Sequence, residues 1–198
     1  FPRSFIKKIE SMLIYAGMER TSPRTYVGLV VFFSLGIGLS ALFWTWYLYQ
    51  KNPLITILVT ILATLATIFV FYLILSLNAD NRARKIEVVL PDVLQIISSN
   101  IRAGMTTENA IWSAARPEFG PLETEIKRVS ADTFGGQPLT QALAQMSKRV
   151  NSTVLDRAIK LVNESLSLGG EMSRLLQEVA SDIRESQTLK KEIATSTM

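Results

Sequence analysis

The sequence contains no histidine and no cysteine, and the groups whose spacing could do chemistry are pairs of carboxylates. That composition excludes His-based acid–base catalysis, Cys nucleophiles, thiolate metal sites and disulfides. The carboxylates that lie close together in sequence are Glu123 with Glu125, Asp182 with Glu185, and Glu171 with Glu178 around Arg174. On a helix, residues two apart point away from each other, whereas residues three or four apart share a face. We interpret all of these groups as solvated helix faces.

The alternative for these carboxylates is a divalent-cation site, which would need oxygen ligands from several helices. A phosphate-binding loop is not indicated, because Gly169-Gly170-Glu171 lacks the Gly-Lys-Ser/Thr that completes such a loop. The sequence therefore predicts a protein that is not an enzyme, with no catalytic residue, no metal and no cofactor.

Two uncharged runs, residues 26–49 and 54–77, predict the elements that position the rest of the chain. Each is 24 residues long, and a helix of that length reaches about 36 Å, against a hydrocarbon core of about 30 Å. Only residues 50–53 separate them, and so short a connection predicts an antiparallel transmembrane hairpin.

The placement of basic residues predicts how this hairpin is oriented. Residues 1–25 carry more basic than acidic side chains, and the connection between the runs has only Lys51. The membrane-flanking cations are Arg24, Arg82, Arg84 and Lys85. Because basic residues near span ends remain in the cytoplasm, we expect both flanks there, in a multi-pass protein of the cytoplasmic (inner) membrane. Anionic lipid accounts for these cations, so the lipid bilayer is a predicted partner and nucleic acid is not.

Small residues recur within both predicted spans and indicate close helix packing. They are Ser34, Gly36, Gly38 and Ser40 in the first span, and Thr56, Thr60, Ala63 and Thr67 in the second. These faces pack either against each other or against further membrane helices. No charged residue interrupts either span, which disfavours a transporter subunit.

The amphipathic segment within residues 1–25, for which Gly17 is a candidate end, lies either on the membrane surface or on the cytoplasmic domain.

From Ile86 onward, apolar residues recur at helical spacing and define six helical faces. Breaks fall at 103–104, 117–121, 135–136, 151–152 and 169–170. The predicted fold is all-α: a transmembrane helical hairpin, followed over residues 82–198 by a cytoplasmic bundle of about six helices. Glycines 104, 136 and 169 are each followed by an apolar pair six and seven residues later, so a helical-repeat array is the alternative.

The bundle region resembles the F-type domain of type II secretion systems over residues 86–190. The likeness lies in the order of three segments: Leu90-Pro91 through Gly104, then Gly135 through Leu143, then Leu168 through Ala180. We expect the residues of these motifs to be structural: Leu90, Pro91, Gly104, Gly136, Leu139, Ala142, Leu143, Gly169, Gly170, Leu175 and Leu176. Together with the preceding hairpin, the segment 180–185 is most similar to the archaeal branch, the platform proteins of the archaellum and of archaeal type IV pili, with Tad pilus platforms as relatives.

This resemblance implies a polytopic membrane platform, often dimeric, that couples a hexameric cytoplasmic ATPase to the assembly of pilin-like subunits. It also implies further membrane helices after this domain. Residues 193–198 resemble a segment that precedes another transmembrane helix, so we expect the chain to be part of a longer protein. Charged residues outside the apolar faces are the candidates for ATPase docking: Arg116, Glu118, Lys127, Arg128, Lys148, Arg149, Glu171 and Arg174. The alternative function is a membrane-anchored helical adaptor or sensor without a role in filaments.

Overall fold

A computed structural model describes residues 3–18, 21–48, 53–168 and 172–196. These residues form helices joined by turns, with no strand among them, which confirms the all-α prediction. The chain divides into two compact units, Phe1–Asp80 and Asn81–Met198, and each is described by itself.

The first unit begins with a short amphipathic helix, α1 (Arg3–Tyr15). It ends at Gly17, whose φ of 76° lies in the left-handed region that suits glycine, as the sequence predicted. Leu13 is buried, and α1 contacts the next helix, α2 (Pro23–Leu48).

Helices α2 and α3 (Pro53–Arg102) are both long and apolar enough to cross a membrane. They contact each other at their small residues: a Cβ added at Gly38 would lie 2.8 Å from Cγ2 of Thr64. The hydroxyl of Tyr26 donates to the carbonyl of Phe71 at 3.0 Å. Packing of the hairpin against itself, one of the two predicted alternatives, is therefore confirmed at this point.

Helix α3 does not end with the second uncharged run but continues to Arg102, through the buried Pro91. A proline inside a helix removes the N–H that would bond the carbonyl four residues earlier, which here belongs to Glu87. The side-chain Nε2 of Gln187 donates to that carbonyl at 2.8 Å instead. Another helix thus supplies a donor to the carbonyl that the proline leaves without a helical partner.

In the second unit, α3 is followed by five further α-helices within the described residues: α4 (Thr107–Ser113), α5 (Pro121–Phe134), α6 (Leu139–Arg149), α7 (Thr153–Leu168) and α8 (Met172–Ser196). A 3₁₀ turn, Pro117–Phe119, precedes α5. The predicted breaks at 103–104, 117–121, 135–136 and 151–152 are confirmed, and the break at 169–170 lies outside the described residues. Gly104 and Gly136 have φ of 91° and 96°, and the Oγ of Ser152 caps α7 by accepting from the N–H of Leu155 at 3.1 Å.

The core of this unit is built from the predicted apolar faces, with Ile86, Leu122, Leu155 and Leu176 at most 2% exposed. Consecutive helices from α4 to α8 contact each other. Contacts also join α3, the first helix of this unit, to α8, the last. The Oγ of Ser98 in α3 donates to the carbonyl of Ser173 in α8 at 2.8 Å. A repeat array does not bring its ends together, so this unit is a closed helical bundle.

Candidate functional site: charged groups of the bundle

Glu125 is buried in the bundle between two arginines. Its side chain is 1% exposed; Oε1 accepts from Arg82 Nη2 at 2.7 Å, and Oε2 accepts from Arg149 Nε at 2.8 Å. Arg82 also donates through Nη1 to the carbonyl of Arg149 at 3.3 Å. The interpretation of Glu125 as part of a solvated face is therefore wrong. We call Arg82, Glu125 and Arg149 the buried charge cluster.

The burial of Glu125 follows from its place on α5. Leu122, three residues earlier, and Val129, four residues later, are both core residues, so Glu125 lies on the apolar side of the helix. This spacing was visible in the sequence and is the signal that could have identified it. A carboxylate on that side must be paired, because an isolated buried charge is very costly.

The two arginines reach Glu125 from different helices. Arg82 lies on α3 just after the uncharged run, and Arg149 lies in the last turn of α6, where a cation also interacts favourably with the helix dipole. The sequence predicts an outward role for both, Arg82 as a membrane-flanking residue and Arg149 as a docking residue. Their side chains are 13% and 15% exposed, so each contributes mainly to the interior of the bundle.

The other docking candidates are distributed over the 3₁₀ turn, α5, α6 and α8. Arg116 and Glu118 are both exposed and pair with each other at 3.6 Å across the 3₁₀ turn. Lys127 is 61% exposed and pairs with Glu123 at 2.7 Å. The remaining described members of the set are the exposed Lys148 and Arg174 and the half-buried Arg128, while Glu171 lies outside the described residues.

The motif residues that the structure describes occupy the core, its margins and the turns. Leu90, Pro91, Ala142, Leu143 and Leu176 are buried, and Leu139 and Leu175 are half-buried. Gly104 and Gly136 hold left-handed turns with open space where a Cβ would point. Gly169 and Gly170 lie outside the described residues. These positions explain the motifs through packing and backbone geometry.

The described carboxylates on α8 that lie close together in sequence are surface groups. Asp182, Glu185 and Glu178 are exposed on α8. On α7, Lys160 Nζ lies 2.7 Å from Asp156 Oδ2, and its hydrogen bond holds the pKa of that carboxyl below the ordinary value. No group of three Asp or Glu residues placed to hold a metal ion occurs within the part of the chain that the structure describes.

Residues 93–198 match the family model described as type II secretion system protein F, and they make up just over half of the chain. The chain belongs to this family. The matched region lies in the second unit and begins at Val93, within the last ten residues of α3. Family membership and the two long apolar helices together are consistent with a membrane protein related to type II secretion systems.

A relative in Methanocaldococcus jannaschii, named as an uncharacterized protein, is 24% identical over 104 residues. The match covers 52% of this chain and 18% of that relative. No solved structure matches the chain.

Proposed function

We propose that this chain is part of an assembly platform of an archaellum or type IV-like pilus, in which the helical bundle receives force from a hexameric ATPase. The observation that carries this proposal is the continuity of α3. One unbroken helix contains both the apolar run that can span a membrane and the residues Ile86 to Ile97 at the core of the bundle. In this proposal, force received by the bundle acts on a helix that also carries the apolar run.

The proposal places the hairpin in the cytoplasmic membrane, with residues 1–25 and the bundle in the cytoplasm. The asymmetry of Lys and Arg around the uncharged runs supports this orientation. Pilin-like subunits are the proposed cargo, and a homodimer is the proposed assembly; the family resemblance supports both.

The proposed ATPase contact is the exposed part of the charged set, which consists of Arg116, Glu118, Lys127, Lys148 and Arg174. A cycling motor needs contacts that form and release, and transient interfaces are typically smaller and more polar than permanent ones. Lys148 is central to the proposal because it is exposed next to Arg149, whose side chain holds Glu125. A load on this end of α6 would thus reach α5 and α3 through the buried charge cluster.

Charge reversal at the exposed positions tests this function. We expect the double variant Arg116→Glu with Lys148→Glu to weaken ATPase binding in a pull-down from membranes and to reduce filament output. The matched control is Lys160→Glu, which also reverses an exposed lysine on the bundle, 70% exposed and outside the docking set. If the double variant retains normal ATPase binding and normal filaments, the docking surface proposed here is wrong. Equal losses in the control would also overturn it.

A further inference from the structure

A surface groove on the bundle combines cationic and apolar walls. It has a volume of about 510 Å³ and lies between α3 and the segment that joins the 3₁₀ turn to α5. Arg84 and Lys85 contribute the charge, and Val88, Phe119 and Pro121 contribute apolar surface. We call it the Arg84 groove.

The cations of the Arg84 groove are available to a ligand. Arg84 and Lys85 are both exposed, and neither has an ion-pair partner among the residues that the structure describes. One carboxylate, that of Glu118, also lines the groove, but it pairs with Arg116 at 3.6 Å. The groove therefore carries a net positive charge and is complementary to an anion.

The apolar part of the groove indicates that the ligand is more than an anion. Val88 is 65% exposed, one helical turn beyond Arg84, and Pro121 is partly exposed in the same lining. Phe119 belongs to the buried core beneath them. A soluble phosphate has no apolar atoms to bury against this surface. The glycerol backbone and first methylene groups of a phospholipid do, and they would cover it.

The position of the groove along α3 points to the same class of ligand. Arg84 follows the end of the uncharged run at Leu77 by seven residues, which is about 10 Å along a helix. Headgroup layers extend about 5–8 Å beyond the hydrocarbon core, and helical side chains lean toward the N-terminus of their helix, here toward the uncharged run. Long cationic side chains can span the remaining distance.

We propose that the Arg84 groove binds the headgroup of an anionic phospholipid, with the phosphate held by Arg84 and Lys85 and the glycerol region on Val88. The proposal rests on the membrane location proposed above but not on the ATPase. If so, the association of the bundle with the membrane surface depends on the anionic lipid content of the membrane as well as on its hydrophobic thickness.

The test is native mass spectrometry of the full 198-residue chain in detergent, with phosphatidylglycerol, phosphatidylcholine or soluble glycerol 3-phosphate added. The unmodified chain should retain phosphatidylglycerol preferentially. The variant Arg84→Gln with Lys85→Gln should lose this preference, by about fivefold for each charge removed. Val88→Gln should weaken the binding of both lipids while keeping the charges. The control Arg157→Gln with Lys160→Gln removes two exposed charges outside the groove and should change nothing.

Four results would overturn the proposal: no preference in the unmodified chain, an equal loss in the control, binding of glycerol 3-phosphate as tight as that of the lipid, or no effect of Val88→Gln. The last would mean that diffuse charge attraction, rather than a groove, selects the lipid. Circular dichroism verifies the fold of each variant, which should be unchanged because all the altered side chains are exposed. This assay contains no ATPase, so its failure is distinguishable from failure of the platform function.

Discussion

Gln187 donates a hydrogen bond from Nε2 to the backbone carbonyl of Glu87 at 2.8 Å. That carbonyl has no helical donor, because the residue four positions later is Pro91. The contact joins α8 to α3 across 100 positions of sequence. It allows a proline to lie inside the helix that the predicted membrane span shares with the bundle.

Loss of this donor should destabilise the bundle only while Pro91 is present. We expect Gln187→Leu to cost about 1 kcal/mol, because it leaves a partly buried carbonyl without its donor. In a Pro91→Ala background the backbone N–H of position 91 can bond the Glu87 carbonyl, so the same substitution should cost clearly less. Chemical unfolding of the four members of this double-mutant cycle, each as the full chain in detergent, gives the coupling. Equal costs in both backgrounds would refute the account of Pro91.

Neutralising Glu125 should be far more harmful than neutralising its neighbour Glu123. The change Glu125→Gln leaves Arg82 and Arg149 facing each other without a counter-charge, and breaking a buried ion pair typically costs about 3–5 kcal/mol. Glu123→Gln removes an i,i+4 pair with Lys127, which is worth about 0.3–0.5 kcal/mol. Hydrogen exchange of α5 and α6, together with unfolding midpoints, measures both. Similar behaviour of the two variants would show that the buried charge cluster does not contribute to the fold.

Gly136 should resist substitution because of its backbone conformation alone. Its φ is 96°, yet a Cβ there would meet no atom within 4 Å, so any loss comes from strain and not from a clash. Gly136→Val should cost about 1–3 kcal/mol, whereas Gly136→Asn should cost less, because asparagine tolerates left-handed conformations better. Unfolding midpoints that rank the two variants in the opposite order would contradict this explanation.

Gly38 should tolerate a methyl group only if Thr64 loses one. A Cβ at Gly38 would lie 2.8 Å from Cγ2 of Thr64, so Gly38→Ala overpacks the hairpin, at a cost of about 1–3 kcal/mol. Adding Thr64→Ser removes that methyl and keeps the hydroxyl that donates to the Thr60 carbonyl at 2.9 Å. Thermal stability in detergent should fall in the single variant and recover in the double variant. Gly36→Ala is the control, because a Cβ there meets nothing within 4 Å.

The proposed topology predicts which positions an impermeant thiol reagent reaches. The chain has no cysteine, so single cysteines at Ser4, Asn52 and Thr124 can be compared directly in intact cells. Only the cysteine replacing Asn52, between the two uncharged runs, should react. Thr124 is exposed on α5, so a lack of reaction there would report topology and not burial. Reaction at position 4 or 124, with no reaction at position 52, would show that the chain has the opposite orientation in the membrane.

Local patterns in the sequence determined the architecture of this protein. The uncharged runs were long enough to predict two apolar helices, and the 3.6-residue periodicity after Ile86 predicted the core faces now seen at Leu90, Leu122 and Leu155. Glycines at 17, 104 and 136 predicted helix ends correctly, because the left-handed backbone there is a local property of glycine. The order of the motifs also predicted the family correctly. The described motif residues lie in the core and the turns, where local packing and backbone geometry constrain residue type.

Tertiary structure alone decided what depends on contacts between distant parts of the chain. The sequence placed Arg82 at the membrane and Arg149 on a docking surface, and only the packing of α3, α5 and α6 brings both to Glu125. Likewise, nothing near Pro91 in sequence shows that α3 continues through it, because the donor that replaces its missing N–H belongs to Gln187. Periodicity reports which side of a helix is apolar. Which polar groups meet inside is fixed by how helices are arranged in space, since a buried charge or carbonyl needs a partner wherever the chain supplies one.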